Sequence, residues 1–185
     1  MVFRENGFFP KKSHENGKKH RKSSKTTKNA KNKNTPAIFR TSPLTRAAFI
    51  QYTVGDGDSI TEFYFQHDID TFDNLVDSVV YAKGFTLTGS AISHAHNDVV
   101  KNHARPGAHV SMIVVTDGES FDQVLGPSNT ARGDSVDMYA VGIQNYNLAQ
   151  LEDIASLPRD KFLHAVDSFE ELGDILEPLT RALCA

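Results

Sequence analysis

The chain has 185 residues, 39% hydrophobic and 23% charged, with a net charge of −3 at neutral pH; that is room for one modest domain and a tail, with too little apolar content for every segment to build core. The charge is divided: residues 1–46 hold thirteen Lys and Arg against two Glu, a net near +11, whereas residues 47–185 hold seven against twenty-one acids, a net near −14, the pattern of a basic tail on an acidic domain. The lone Cys184 excludes an internal disulfide and a cysteine-based zinc site, and no apolar run approaches the roughly 20 residues that a membrane span needs.

The N-terminus lacks the apolar core of a secretory signal, and the sequence contains no Asn-x-Ser/Thr acceptor. Residues 11–35 are mostly Lys, Asn, Ser and Thr, with Ala30 as the one apolar residue. Such a segment cannot bury enough surface to offset its ordering entropy, so disorder is expected. Lys18-Lys19-His20-Arg21-Lys22 could contact a polyanion or serve as a nuclear address, but a solvated charged tail is the simpler reading. No aromatic residue is interleaved there, so any nucleic-acid binding would be salt-sensitive and sequence-blind.

Order is expected from about Leu44. Ala47–Val54 reads as a strand, Gly55-Asp56-Gly57-Asp58 as a turn and Ser59–Phe65 as the returning strand, which makes a β-hairpin. Asp68 or Asp70 can cap a helix over Thr71–Ala82, with Phe72, Leu75, Val76, Val79 and Val80 on one face. Residues 84–89 read as a loop, and Ser90–His103 as a second helix. Met112–Thr116 is a continuous apolar and β-branched run, which suits a strand buried on both faces of a parallel sheet. Asp117-Gly118 marks its end, where open α/β sheets place their ligand crevice. A short, poorly formed helix is expected next, then a strand at Val136–Ile143, a helix at Ala149–Ser156 and a strand at Phe162–Val166. A closing helix over Ser168–Leu183 is capped by Asp167 or Ser168. The alternation predicts an α/β fold: a doubly wound, mostly parallel sheet with helices on both faces and an antiparallel edge hairpin.

Taken together, Thr45–Tyr52, Glu62-Phe63, Thr86–Ile92 (TLTGSAI), Val114–Ser120 (VVTDGES) and Tyr139–Ile143 (YAVGI) resemble the von Willebrand factor type A domain, in its matrilin- and collagen-associated form, over about residues 44–184. The resemblance implies a metal-ion-dependent adhesion site at the carboxyl end of the sheet, usually holding magnesium. Three loops supply its ligands: a D-x-S-x-S loop after the first strand, a Thr from the T-x-T-G loop and an Asp from the D-G loop. By position these last two are Thr86 and Asp117. Oxygen ligands and retained water suit such a hard ion, and a partner's carboxylate can complete its shell.

The chain departs from that pattern in having no D-x-S-x-S, and nothing before Leu44 resembles the family's first strand and helix. That strand is central to the sheet, so its loss would expose two unpaired edges. Ala37-Ile38-Phe39 or Val2-Phe3 could pair there as a substitute. The expected organisation is therefore a disordered basic tail over 1–43 and an N-terminally incomplete type A domain over 44–185, with a degenerate metal site. The absence also accounts for Cys184 lacking the N-terminal partner such domains often have.

Two further clusters have plain structural readings. Arg132-Gly133-Asp134-Ser135 spells an integrin-recognised tetrapeptide, yet it falls at a helix-to-strand turn where Gly133 serves as a helix stop. His94, His96, Asp98, His103 and His109 gather about the second helix, but only His94 and Asp98 share a face at i, i+4, and no third ligand is fixed by spacing. No G-x-S-x-G, H-E-x-x-H or phosphate-binding glycine loop is present, so no enzyme is expected. The expected function is a protein-binding, adhesion-type module of the extracellular matrix, with a matrix component such as collagen as partner. The alternatives are a non-adhesive fragment and a nucleic-acid or polyanion binder acting through the tail.

Overall fold

The apolar run before Asp117 is strand β4 (His109–Thr116), with Val110–Val114 and Thr116 buried. It pairs in parallel with β5 (Val136–Ile143), where only Asp137 escapes full burial. β5 pairs in parallel with the short β6 (Leu163–Val166). Each fully buried Met, Ile or Val here contributes roughly 1.5–3 kcal/mol relative to exposure, which is why continuous apolar runs hold the middle of a sheet covered on both faces.

The computed structural model describes residues 2–6, 45–52, 60–80 and 84–184. These form a six-stranded sheet in the spatial order β3-β2-β1-β4-β5-β6. β2 (Thr45–Gln51) and β3 (Ile60–Gln66) form the antiparallel edge pair, with irregular register between Ala47 and Ile50. The turn expected at Gly55–Asp58 lies outside the described residues.

The slot between β2 and β4 is filled by β1 (Val2–Asn6). It runs antiparallel to both neighbours, Val2 opposite Phe49 and Ile113, Asn6 opposite Thr45 and His109. Within the stretch expected as a disordered tail, these five residues thus take the substitute role open to Val2-Phe3. The rest of that stretch, including Ala37–Phe39 and the Lys-rich run, lies outside the described residues. β2 and β4 both oppose β1, so they share one direction, and the α/β sheet is parallel except for β1 and β3. Beyond Val2 a side chain crosses the gap: the Tyr52 hydroxyl, from the end of β2, donates to the Val115 carbonyl of β4 at 2.9 Å.

Helix α1 (Ile69–Ser78) starts where the first candidate cap predicts. Asp68 accepts from the Thr71 amide at 2.8 Å, satisfying one of the orphan donors of the first turn. It ends four residues short of the expected Ala82. Phe72 of α1 packs edge-on to Phe63 at 5.1 Å, which stacks on Phe49 at 5.8 Å, closing a small core with Ala47. Ala48 and Ile50, on the alternate positions of β2, belong to the main core instead.

The second helix begins two residues before its expected start, as α2 (Thr88–His94), and continues through a π-helical stretch (Ala95–Val100) into α3 (Lys101–His103). α4 (Leu125–Gly133) and α5 (Leu148–Ile154) follow β4 and β5, and the short α6 (Arg159–Phe162) precedes β6. The closing helix, α7 (Leu172–Cys184), begins four residues later than expected and carries Pro178 within it. Tyr139 of β5 anchors it by donating to the Ala182 carbonyl at 3.0 Å.

Candidate functional site

The carboxyl ends of β2, β4, β5 and β6 lie at one end of the sheet, and α2 and α5 start there. Asp117 and Gly118 leave β4 in a tight turn held by the Thr116 hydroxyl, which donates to the Gly118 carbonyl at 3.0 Å. Thr86 faces that turn: a methyl group on Gly118 would lie 3.9 Å from Thr86 Oγ1. The Thr86 carbonyl accepts from the Phe121 amide at 2.9 Å, tying the two loops together. The structure therefore brings the two residues predicted for the metal site side by side, with Asp117 exposed and Thr86 half-buried.

The loop after β4 is pinned along its length. Gln150 of α5 accepts from the Ser120 amide at 2.7 Å and donates to the Ser120 carbonyl at 2.9 Å. Asn147 donates to the Glu119 carboxylate at 2.9 Å. Ser120 Oγ accepts from the Thr88 amide and donates to Asp122. Asp122 then accepts from the Gly89 amide at 2.8 Å, the Ser90 amide at 2.6 Å and the Ser90 hydroxyl at 2.7 Å.

Asp122 is thus the cap of α2, supplied from 33 residues away; Leu87, the residue before the helix, gives no side-chain cap. Burial works to raise the Asp122 pKa, but the Ser120 and Ser90 hydroxyls and the Gly89 and Ser90 amides outweigh it and hold the carboxyl below its ordinary range. Sequence reasoning stopped at Ser120 and missed Asp122. A cap that comes from a distant loop leaves no signature in local spacing.

The motif resemblance implies a divalent ion at this end of the sheet, which the oxygen donors present must be able to hold. Magnesium takes about six oxygens, several of them retained waters, and is fixed by one or two carboxylates together with other protein oxygens. Thr86 and Asp117 offer one hydroxyl and one carboxylate. Both Asp122 oxygens are occupied by helix donors, and Glu119 is held by Asn147. Thr88 Oγ1 is buried without an aligned hydrogen bond beside the Tyr52 phenol, too deep to serve. Among the described residues, no group of three or more His, Cys, Asp or Glu could hold a metal. Among the described residues, those at this end of the sheet do not complete a shell for a resident ion.

The other sequence clusters resolve into structure. Arg132 Nη1 donates to the carbonyls of Asp153, Ile154 and Ala155 at 2.9, 2.6 and 3.2 Å, and Nη2 to Asn129 at 2.6 Å. Asp134 lies 3.0 Å from His96 Nε2 and 3.4 Å from Lys101 Nζ. The Arg-Gly-Asp-Ser segment is therefore a clasp on the end of α5, beside a cleft of about 540 Å3, not a projecting loop. Replacing Arg132 with Met is expected to cost about 2 kcal/mol, because several carbonyls lose a charged donor; urea unfolding of the full chain measures it. The histidines do not converge: His94 pairs with Asp98 at 3.0 Å, His109 with Asp137 at 3.1 Å, and His103 stacks on Tyr64 at 3.9 Å.

Comparison with known proteins settles the family. The family model described as von Willebrand factor type A domain matches residues 26–178. The chain belongs to the von Willebrand factor type A domain family. The type A match starts earlier than the resemblance read from motifs, before the first residue of β2. Among curated relatives, the chain is 35% identical over 111 residues to the collagen alpha-1(XII) chain of Oryctolagus cuniculus, covering 59% of this chain and 17% of that protein. It is 30% identical over 142 residues to cochlin of Homo sapiens, covering 75% of this chain and 25% of that protein. The chain thus spans a quarter or less of these relatives. Proximal thread matrix protein 1 of the mussel byssus shares the type A fold, with a TM-score of 0.67 at 20% identity over 74% of this chain and 36% of that one. A second structure of the same mussel protein has zinc in its MIDAS motif and a TM-score of 0.61, at 20% identity over 74% of this chain and 34% of that one. No described helix of this type A chain is long and apolar enough to cross a membrane.

Proposed function

We propose that this type A domain, taken as residues 44–185 with Val2–Asn6 completing its sheet, is a non-enzymatic protein-binding module of the extracellular matrix. Thr86 and Asp117 are its remnant metal-site residues, and magnesium does not bind there with useful affinity. The observation that carries the reading is the pinned loop pair at the carboxyl end of the sheet, where Thr86 and Asp117 stand together and, among the described residues, Asp122 and Glu119 are engaged in holding the loops. Collagen alpha-1(XII) and cochlin, among its relatives, support a matrix setting and a matrix protein as partner. The surface is preorganised, so little ordering entropy opposes binding.

The test is thermal unfolding of the full chain by circular dichroism, with and without about 5 mM magnesium. A folded state saturated about a hundredfold above its Kd gains ~2.7 kcal/mol, which raises Tm by roughly 5–10 °C in a chain of this size. The expected result is a cooperative transition that magnesium and chelator leave unchanged. A magnesium-dependent rise of that size would overturn the degenerate site. Failure to bind any matrix protein in a solid-phase panel would overturn the adhesion role.

A further inference from the structure

The end of the sheet that carries Thr86 and Asp117 also carries two large exposed rings. Phe85 is 65% exposed and Phe121 is 75% exposed, and they pack edge to face at 5.6 Å. Both are fixed by their backbones. Phe85 precedes Thr86, whose carbonyl takes the Phe121 amide, and Phe121 sits between Ser120 and Asp122, which are clamped by Gln150 and by the start of α2. A loop held this firmly could have turned its aromatic residue inward. Rigid aromatics displayed together are the usual anchors of a binding surface.

Charge says what the surface takes. Asp117, Glu119 and Asp122 follow β4 at this end, and Asp167 and Glu171 follow β6. Outside β1, the described lysines and arginines lie elsewhere: Arg46 at the start of β2, Lys101 and Arg105 before β4, Arg132 before β5, Arg159 and Lys161 before β6, and Arg181 in the last turns of α7. The described face is therefore negative, and the described residues form no ion site there to invert its sign. A surface of one sign concentrates ligands of the other, and a Lys or Arg head group is also attracted to the faces of exposed rings.

Resting on the adhesion reading above, we infer that the Phe85–Phe121 face binds an extended segment of a partner protein that carries Lys or Arg next to apolar residues or proline, without a metal. The partner's apolar side chains cover the rings, and its cation meets Asp117. The ion-bridged partner of a complete site offers a carboxylate; this face selects the opposite charge.

The test uses the 185-residue chain, fluorescence anisotropy and three fluorescein-labelled peptides: four repeats of Lys-Pro-Leu, of Glu-Pro-Leu and of Lys-Ser-Gly. The Lys-Pro-Leu peptide is expected to bind at least tenfold more tightly than either other, with no change in EDTA and weakening as salt rises. Phe121→Ser and Phe85→Ser should each weaken it about tenfold and Asp117→Asn several-fold. Leu176→Ser, an exposed change on α7, should leave it unaltered, with circular dichroism confirming the fold of each variant. Equal binding of both Lys peptides, or no effect of the Phe changes, would overturn the aromatic face. Preference for the Glu peptide in magnesium would overturn this inference yet leave the adhesion role standing. If no peptide binds, this inference fails, and the matrix-protein panel decides the adhesion role separately. Replacing Lys18, Lys19, Arg21 and Lys22 with Gln in the full chain should not change affinity. A tenfold gain would mean that the chain's own basic segment occupies the face, and would overturn the assignment to a partner.

Discussion

Asp122→Ala is expected to lower the stability of the full chain by about 3 kcal/mol. The carboxylate receives two amides from the first turn of α2 and two hydroxyls. Hydrogen bonds to a charged group contribute roughly 1.5–3 kcal/mol each when their partners are then left unsatisfied, and water reaching this half-buried site recovers part of that. A chain of this length loses roughly 2–4 °C of Tm per kcal/mol, so a fall of about 10 °C should be seen by calorimetry. The pH dependence follows from the depressed carboxyl. Its stabilisation is present above the unfolded pKa of about 3.9 and is lost as pH falls through the lower folded value. Asp122→Asn, which keeps an acceptor but no charge, should cost less at neutral pH and flatten that acid limb. An acid limb identical to that of the parent would show that another carboxylate drives it.

Gly89→Ala is expected to cost at least as much, for a steric reason. A Cβ on Gly89 would overlap the Gln123 carbonyl oxygen and lie 2.9 Å from its carbon. Both atoms belong to backbone, so no side-chain rotation relieves the clash, and either the loop or the helix must move. Overpacking of this kind costs about 1–3 kcal/mol, and the displacement also breaks the Asp122 cap. The two losses share one junction, so Gly89→Ala with Asp122→Ala should destabilise by clearly less than the sum of the single changes. Urea unfolding of the two single variants and the double variant tests that. Full additivity would mean that Gly89 is not there to let α2 approach its distant cap.

These two residues mark how far the sequence could be read. Strands β4 and β5 were legible because burial on both faces imposes continuous apolar runs, and Asp68 was legible as a cap because it lies beside the helix it serves. The pairing of Thr86 with Asp117 was legible only through the motif resemblance, which carries long-range information that periodicity lacks. Asp122 was not legible, since nothing local marks a carboxylate that caps a helix 33 residues earlier. Nor was β1 singled out, because Val2–Asn6 is too short to announce a strand; it is selected by two open edges whose pairing demands are met only in three dimensions. The π-helical stretch at Ala95–Val100 likewise follows no pattern in its residues that we can name.

The reversed direction of β1 has a practical consequence for handling the protein. Val2 lies opposite Ile113, three residues below the end of β4, whereas Asn6 lies at the start of that strand. A fluorophore, affinity tag or surface tether attached ahead of Val2 would therefore emerge toward Thr86 and Phe121 and shield them. α7 runs the other way, away from that end. Coupling through the C-terminus leaves the aromatic rim open to solution, so the same protein immobilised by its two ends should give different apparent affinities for one analyte.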